Sequence, residues 1–268
     1  MAGPFIRSWA VRFGAASLLA VAGCAGWDEF SFKKMNFEVF TTPSEPMAVI
    51  RNPESSGALR ARALRGVKEP AQHGGSQQEQ DLYVQVLTHV AGHDPDPLCR
   101  HAAIGVLSKF KDARAVKGLQ DAYYGASAFH AETASSLRRL ALAGLGATGQ
   151  EAAVELLVGV LREPPTEGAE QDREAKLQER LAAARALAHF KNTYRATTAL
   201  AEAMGGKDAD IALQRCCHES LEAITGQHPE QDALAWKRLL ESPGAKDAIA
   251  NRRPTMGEKL LELTGYNK

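Results

Sequence analysis

A nine-residue pattern recurs along this chain at intervals close to 40 residues, and it constrains the fold more than any other feature. It reads LRARALRGV from Leu59 to Val67, CRHAAIGVL from Cys99 to Leu107, LRRLALAGL from Leu137 to Leu145 and ERLAAARAL from Glu179 to Leu187. Its arginines, Arg60, Arg100, Arg138 and Arg180, are separated by 40, 38 and 42 residues. A fifth stretch, CCHESLEAI, sets Cys217 another 37 residues on, with Arg215 two residues early. Apolar residues fall three and four apart in each copy, which predicts an amphipathic helix. A second helix is predicted after each: Asp81 to Ala91, Ala113 to Tyr124, Glu151 to Leu161, Tyr194 to Met204 and Gln231 to Leu240. One such pair cannot bury its apolar faces alone, so the units must stack.

The central unit, Ala134 to Glu163, shows the local logic. Leu137, Leu140, Ala141 and Leu145 line one helix, and Val154, Leu157, Val160 and Leu161 line the next. Between them Gly146-Ala-Thr-Gly149 offers a glycine stop and, in Thr148, a polar cap for the following helix.

A helical pair of this length, with Arg followed by small apolar residues and a short turn, resembles the HEAT repeat. The resemblance covers about Asn52 to Glu241. More narrowly, KFKDARAVKGL, GATGQEAAVELL and AITGQHPEQDALAWKRLL resemble HEAT-repeat bacterial lipoproteins of the planctomycete type. The resemblance implies an all-α fold, an α-solenoid of about five HEAT-like hairpins over residues 52–242. It also implies a protein-binding scaffold whose inner face is lined by the second helix of each pair, and no enzymatic reaction or cofactor. The arginine column resembles the family's inter-repeat ladder, in which guanidinium donors reach carboxylates or carbonyls of neighbouring turns. Ligand binding by the same arginines is the competing reading.

Composition agrees with stacked helices. Of 268 residues 44% are apolar but only 6% aromatic, so alanine and leucine carry the core. Formal net charge is +0, and residues 1–23 hold Arg7 and Arg12 and no acid, so the remainder carries −2. No global field favours nucleic acid.

Residues 1–23 combine those arginines with an apolar run from Phe13 to Val21, the pattern of an export signal. The run is well short of the roughly 20 apolar residues that span a bilayer. LAVAGC resembles a bacterial lipobox, which implies diacylglyceryl transfer to Cys24 and a membrane tether in an extracytoplasmic, periplasmic space. Ala20-Val21-Ala22 is a competing cleavage signal that would release a soluble protein beginning at Gly23. Residues 24–51 form a tether or N-terminal cap. Trp27, Phe30, Phe32, Phe37 and Phe40 crowd into it, either covering the first repeat or contacting a partner or the membrane with Lys33 and Lys34.

Two insertions, Lys68 to Gln80 and Glu163 to Arg180, read as long surface loops and candidate contact sites, the second already leading into the next helix over Asp172 to Gln178. Asp112 is expected to cap the helix carrying Tyr123 and Tyr124, each of which is either a candidate partner-binding anchor or a packing residue. Residues 243–268 read as a C-terminal cap, with Leu260, Leu261 and Leu263 on a short helix and mobile final residues.

Catalytic chemistry finds no believable constellation. His89 and His93 have the spacing of a metal pair, but Gly92 and Pro95 are expected to end the helix between them and no third ligand is near. His218-Glu219 resembles a pair from di-iron HEAT-repeat hydroxylases, which need several such pairs, and this chain has no other. Cys99, Cys216 and Cys217 lie among apolar neighbours and are expected as buried thiols, a bridge from Cys99 to one of the pair remaining open. The function expected is a non-enzymatic, membrane-anchored scaffold or adaptor for an unknown protein or peptide. The alternatives are a self-associating structural envelope protein and, behind it, a metal-dependent enzyme using His89, His93 or His218.

Overall fold

The computed structural model describes residues 45–164, 168–206, 210–253, 256 and 259. They fall within one compact unit, Thr41–Lys268. Cys24, Trp27 and Phe30, the signal segment and most of the C-terminal cap lie outside the described residues.

Among the described residues the chain is all-helical, without a strand. The helices are α1 (Pro46–Arg51), α2 (Gly57–Arg65), α3 (Gln77–His93), α4 (Pro97–Leu107), α5 (Arg114–Gly125), α6 (Ala131–Thr148), α7 (Val154–Arg162), α8 (Glu170–Leu187), α9 (Tyr194–Met204), α10 (Ile211–Thr225), α11 (Ala233–Glu241) and α12 (Ala245–Ala250). No helix among these residues is long and apolar enough to cross a membrane.

Local chemistry sets the starts and stops. Ser76 and Glu79 form a reciprocal capping box at α3, and Asp96 accepts the Leu98 amide while Pro97 opens α4. Asp210 and Asp232 cap α10 and α11 in the same way. α6 ends at Gly149, whose φ of 64° is left-handed, within the stretch Gly146-Ala-Thr-Gly149 expected to supply the glycine stop. Gly146 stays within the helix and lets α8 cross closely: a Cβ there would meet the Ala186 Cα at 2.8 Å. Thr148 turns back to the Leu145 carbonyl and accepts the Gln150 amide, rather than capping a helix. A 3-10 turn, Glu151–Ala153, then leads into α7.

The second helices pack on the first helices that follow them, α3 on α4, α5 on α6, α7 on α8 and α9 on α10, and most helices also pack on the one two places along. α2, α4, α6, α8 and α10 contact one another in that order, while α3 packs on α5, and α9 on both α7 and α11. One apolar core runs through these contacts, from Ile50 to Trp236. Its largest buried side chains are mostly leucines, which fits the aromatic-poor composition.

α7 and α9 pair in parallel. Ion pairs join Glu155 to Arg195 and Arg162 to Glu202, start to start and end to end of α7 and α9. α11 departs from this arrangement. Tyr194, first in α9, donates to the carbonyl of Leu240 near the end of α11, while Gly205 after α9 lies against Ala233, first in α11. α11 is therefore antiparallel to α9, and the fifth unit is not a copy of the others. Trp236, fully buried, donates its indole N–H to His218 Nδ1 at 2.9 Å and anchors α11 to α10.

Candidate functional site

The four repeated arginines stand at equivalent places on α2, α4, α6 and α8, and each reaches beyond its own helix. Arg60 pairs with Asp94, the residue that ends α3, at 3.0 Å. Arg100, almost fully buried, donates to the carbonyls of Asp94 at 2.7 Å and Gly125 at 2.6 Å, and its guanidinium lies 4.6 Å from the Phe129 ring centre. Arg180 donates to the Leu161 carbonyl at 3.1 Å. Helix ends leave carbonyls without intrahelical donors, and a planar fork of N–H groups satisfies them. Burial lowers the pKa of Arg100 and Arg180 without giving either a plausible neutral form near pH 7. Arg138 differs: its partner is the carboxylate of Glu179 on α8, 3.3 Å away.

Glu179 is 2% exposed and was hidden in the sequence as the residue before Arg180. It accepts from Tyr123 and Arg138 and lies 3.8 Å from Lys176, which also pairs with Glu163. Tyr123 is 6% exposed, so of its two readings, anchor or packing, it takes the second. Its ring fills the junction between α5, α6 and α8, and burial followed by the nearby Glu179 charge pushes its hydroxyl pKa well above the ordinary tyrosine range. Its neighbour Tyr124 points outward and is 63% exposed.

The expected Lys68 to Gln80 loop is also partly interior. A 3-10 turn spans Pro70–Gln72, α3 begins at Gln77 rather than Asp81, and Glu69 and Gln80 are buried. The Glu69 carboxylate accepts the amides of Lys111 and Asp112 and the side chain of Gln80, locking this connection to the one before α5. Gln80 continues to Asp112 at 3.0 Å, and Asp112 accepts both the Arg114 amide and its guanidinium. Arg114 holds the Asp112 carboxyl well below the usual carboxylate range. Asp112 thus meets the start of α5 as expected, but its main partner is a side chain.

The second-helix row carries the surface residues of interest. Asp81–Arg114, Glu155–Arg195 and Arg162–Glu202 tie adjacent helices by ion pairs at the surface. Between α9 and α11 the row opens into a groove of about 540 Å³, lined by Tyr194, Ala201, Glu202, Leu234, Lys237 and Leu240. Leu234 is 59% exposed.

The candidate metal residues serve other contacts. α3 continues through both His89 and His93, whose rings stack 5.3 Å apart; Gly92 does not end the helix. His218 accepts from Trp236, and its Nε2 is 3.6 Å from Glu222. Among the described residues no group of three or more His, Cys, Asp or Glu is arranged to hold a metal ion. Cys99, Cys216 and Cys217 are free and buried. Cys99 and Cys216, each one place before the column position, donate to the carbonyls of Gly57 and Leu181 on the preceding first helix. Burial pushes the Cys217 thiol up to about 12. Compared with protein-family models and with curated proteins, the chain matches none.

Proposed function

We propose that this chain is a HEAT-like α-solenoid lipoprotein, anchored through Cys24 in the bacterial cell envelope, that holds a protein or peptide against its second-helix row and catalyses no reaction. The reading is supported above all by how that row is built. Its helices are braced from behind by buried arginines and carboxylates and from the side by ion pairs, while Tyr124 and Leu234 remain exposed on it. A rigid surface with a few apolar anchors binds at low ordering cost. Polar side chains deeper in the fold are engaged in joining helices, which suits a scaffold. Trp27 and Phe30 belong to this proposal as contacts made close to the membrane.

The test begins with the intact mass of membrane-extracted protein beside a Cys24→Ala variant, with fractionation. A diacylglyceryl mass on a chain starting at Cys24, and movement of the variant to the soluble fraction, is the expected result. A wild-type chain starting at Gly23 without lipid sinks the anchor. Photocrosslinkers at Tyr124 and Leu234 in the native envelope then test the scaffold. The same discrete partner adducts should form from both positions, and adducts only with the chain itself would favour a self-associating structural protein instead.

A further inference from the structure

α11 is held to α10 by a bond that one proton can break. The Trp236 indole N–H donates to His218 Nδ1 at 2.9 Å, across 18 positions of chain. An indole can only donate, so Nδ1 must present its lone pair and the neutral ring carries its proton on Nε2. A second proton would go on Nδ1, against the indole N–H. Turning the ring over gives no escape, because both nitrogens of a charged imidazole carry hydrogen. Trp236 is fully buried, so its N–H cannot exchange His218 for water while α11 stays docked. The His218 side chain is 14% exposed, within reach of protons from solvent.

The surroundings favour the charged ring at one nitrogen and oppose it at the other. Glu222, one turn along α10, stands 3.6 Å from Nε2, and the same carboxylate meets His228 Nδ1 at 2.8 Å. The remaining charged groups of the packed elements are engaged elsewhere. On α10, Arg215 pairs with Glu219. α9 carries Arg195 and Glu202, paired with Glu155 and Arg162 of α7. On α8, Arg180 and Arg185 act on Cys217 and Cys216. On α11, Asp232 caps its own helix, Lys237 pairs with Glu241, and Arg238 is exposed. Arg252, after α12, reaches the carbonyl of Ala223. A charged His218 therefore keeps Glu222 and loses Trp236.

We propose that protonation of His218 releases α11 from α10, so that the fifth unit is closed near neutral pH and opens in mild acid. α11 supplies Leu234, Lys237 and Leu240 to the groove it shares with α9. That groove keeps its described form only while His218 is neutral, and opening brings Trp236 into water. The device does not depend on what the second-helix row binds.

Hydrogen exchange of the full chain between pH 7.5 and 5.0, corrected for the intrinsic pH dependence of amide exchange, tests this. With an ordinary histidine in the open state, uptake of one proton should lower the protection of α11 amides about tenfold or more over that interval. α4 and α6 should keep theirs. His218→Gln offers the indole an acceptor that takes no proton, and Trp236→Phe keeps a ring and removes the donor. In each variant α11 protection should be the same at both ends of the pH range. Glu222→Gln should retain the dependence and move its midpoint to lower pH, because the carboxylate favours the charged ring. Wild-type protection that does not change with pH, or a change that survives in either His218→Gln or Trp236→Phe, overturns the proposal. A dependence abolished by Glu222→Gln also overturns it and places the proton on the Glu222–His228 pair. An equal loss in α4 and α6 is global unfolding and overturns it as well. Partner adducts from Tyr124 do not bear on these outcomes, so this inference and the scaffold reading fail separately.

Discussion

The hydroxyl of Tyr123, on α5, donates to the carboxylate of Glu179, on α8, at 3.3 Å across 56 positions of chain. The pair lies where three helices of successive units meet, with Arg138 of α6 as the second partner of the same carboxylate. Tyr123→Phe keeps the ring and removes one donor, so it should destabilise by about 1 kcal/mol. Glu179→Leu removes the acceptor shared by Tyr123, Arg138 and Lys176, and should cost about 3 kcal/mol. Urea midpoints at constant m-value check both, and equal small effects would show that Glu179 is not the hub of the cluster.

Two glycines in helices should respond in opposite directions to alanine. Gly146→Ala drives a Cβ into the backbone of Ala186 on α8 and should destabilise by about 1–3 kcal/mol despite better helix propensity. Gly159→Ala on α7 meets nothing within 4 Å and should stabilise by about 1 kcal/mol. Thermal midpoints of the two variants, measured side by side, carry the sign.

Arg100→Lys preserves charge but not the fork that reaches two carbonyls on separate helix ends. The loss expected is about 1–2 kcal/mol, and Arg100→Met, leaving both carbonyls without this donor, should lose about 2–4 kcal/mol. A conservative Lys variant as stable as wild type would place the stabilisation in charge alone.

Asp112 supplies a pH dependence. Its folded pKa is depressed, first by hydrogen bonds from Arg114, so its contribution is fully present above the ordinary value of 3.8 and is lost as pH falls below it. Asp112→Asn should be less stable than wild type at pH 7 and at pH 5, and the gap should narrow at pH 3. Chemical denaturation at the three values measures it. A gap independent of pH would contradict the linkage.

Cys99, Cys216 and Cys217 are buried, and burial raises each thiol's pKa. In the Cys24→Ala variant, a thiol reagent at pH 7.5 should therefore react at the rate of unfolding and reach three groups per chain only in denaturant. Fast reaction of any one in the native protein would show that its helix opens locally.

Much of the helical architecture was legible in the spacing of leucines and alanines, because a helix returns to the same face every three or four residues whatever its partner. Ser76 with Glu79, Asp96 with Pro97, and Gly149 are signals of the same local kind. Glu69, Gln80 and Glu179 were not legible in this way. Each looks in sequence like a solvated polar residue, and each is buried because the donors that satisfy it come from another unit.

The sequence by itself determined that this chain forms amphipathic helices in pairs with an arginine at a fixed place in four of them, since periodicity and capping act within a few residues. Only the tertiary structure decided that Tyr123 turns inward while Tyr124 stays in water, that Gly146 marks a helix crossing while Gly149 is the stop, and that α11 runs antiparallel to α9. Those outcomes depend on which surfaces meet: burying Trp236 against His218 and closing the backbone of α6 on α8 are interactions between distant segments, and no local pattern encodes their direction.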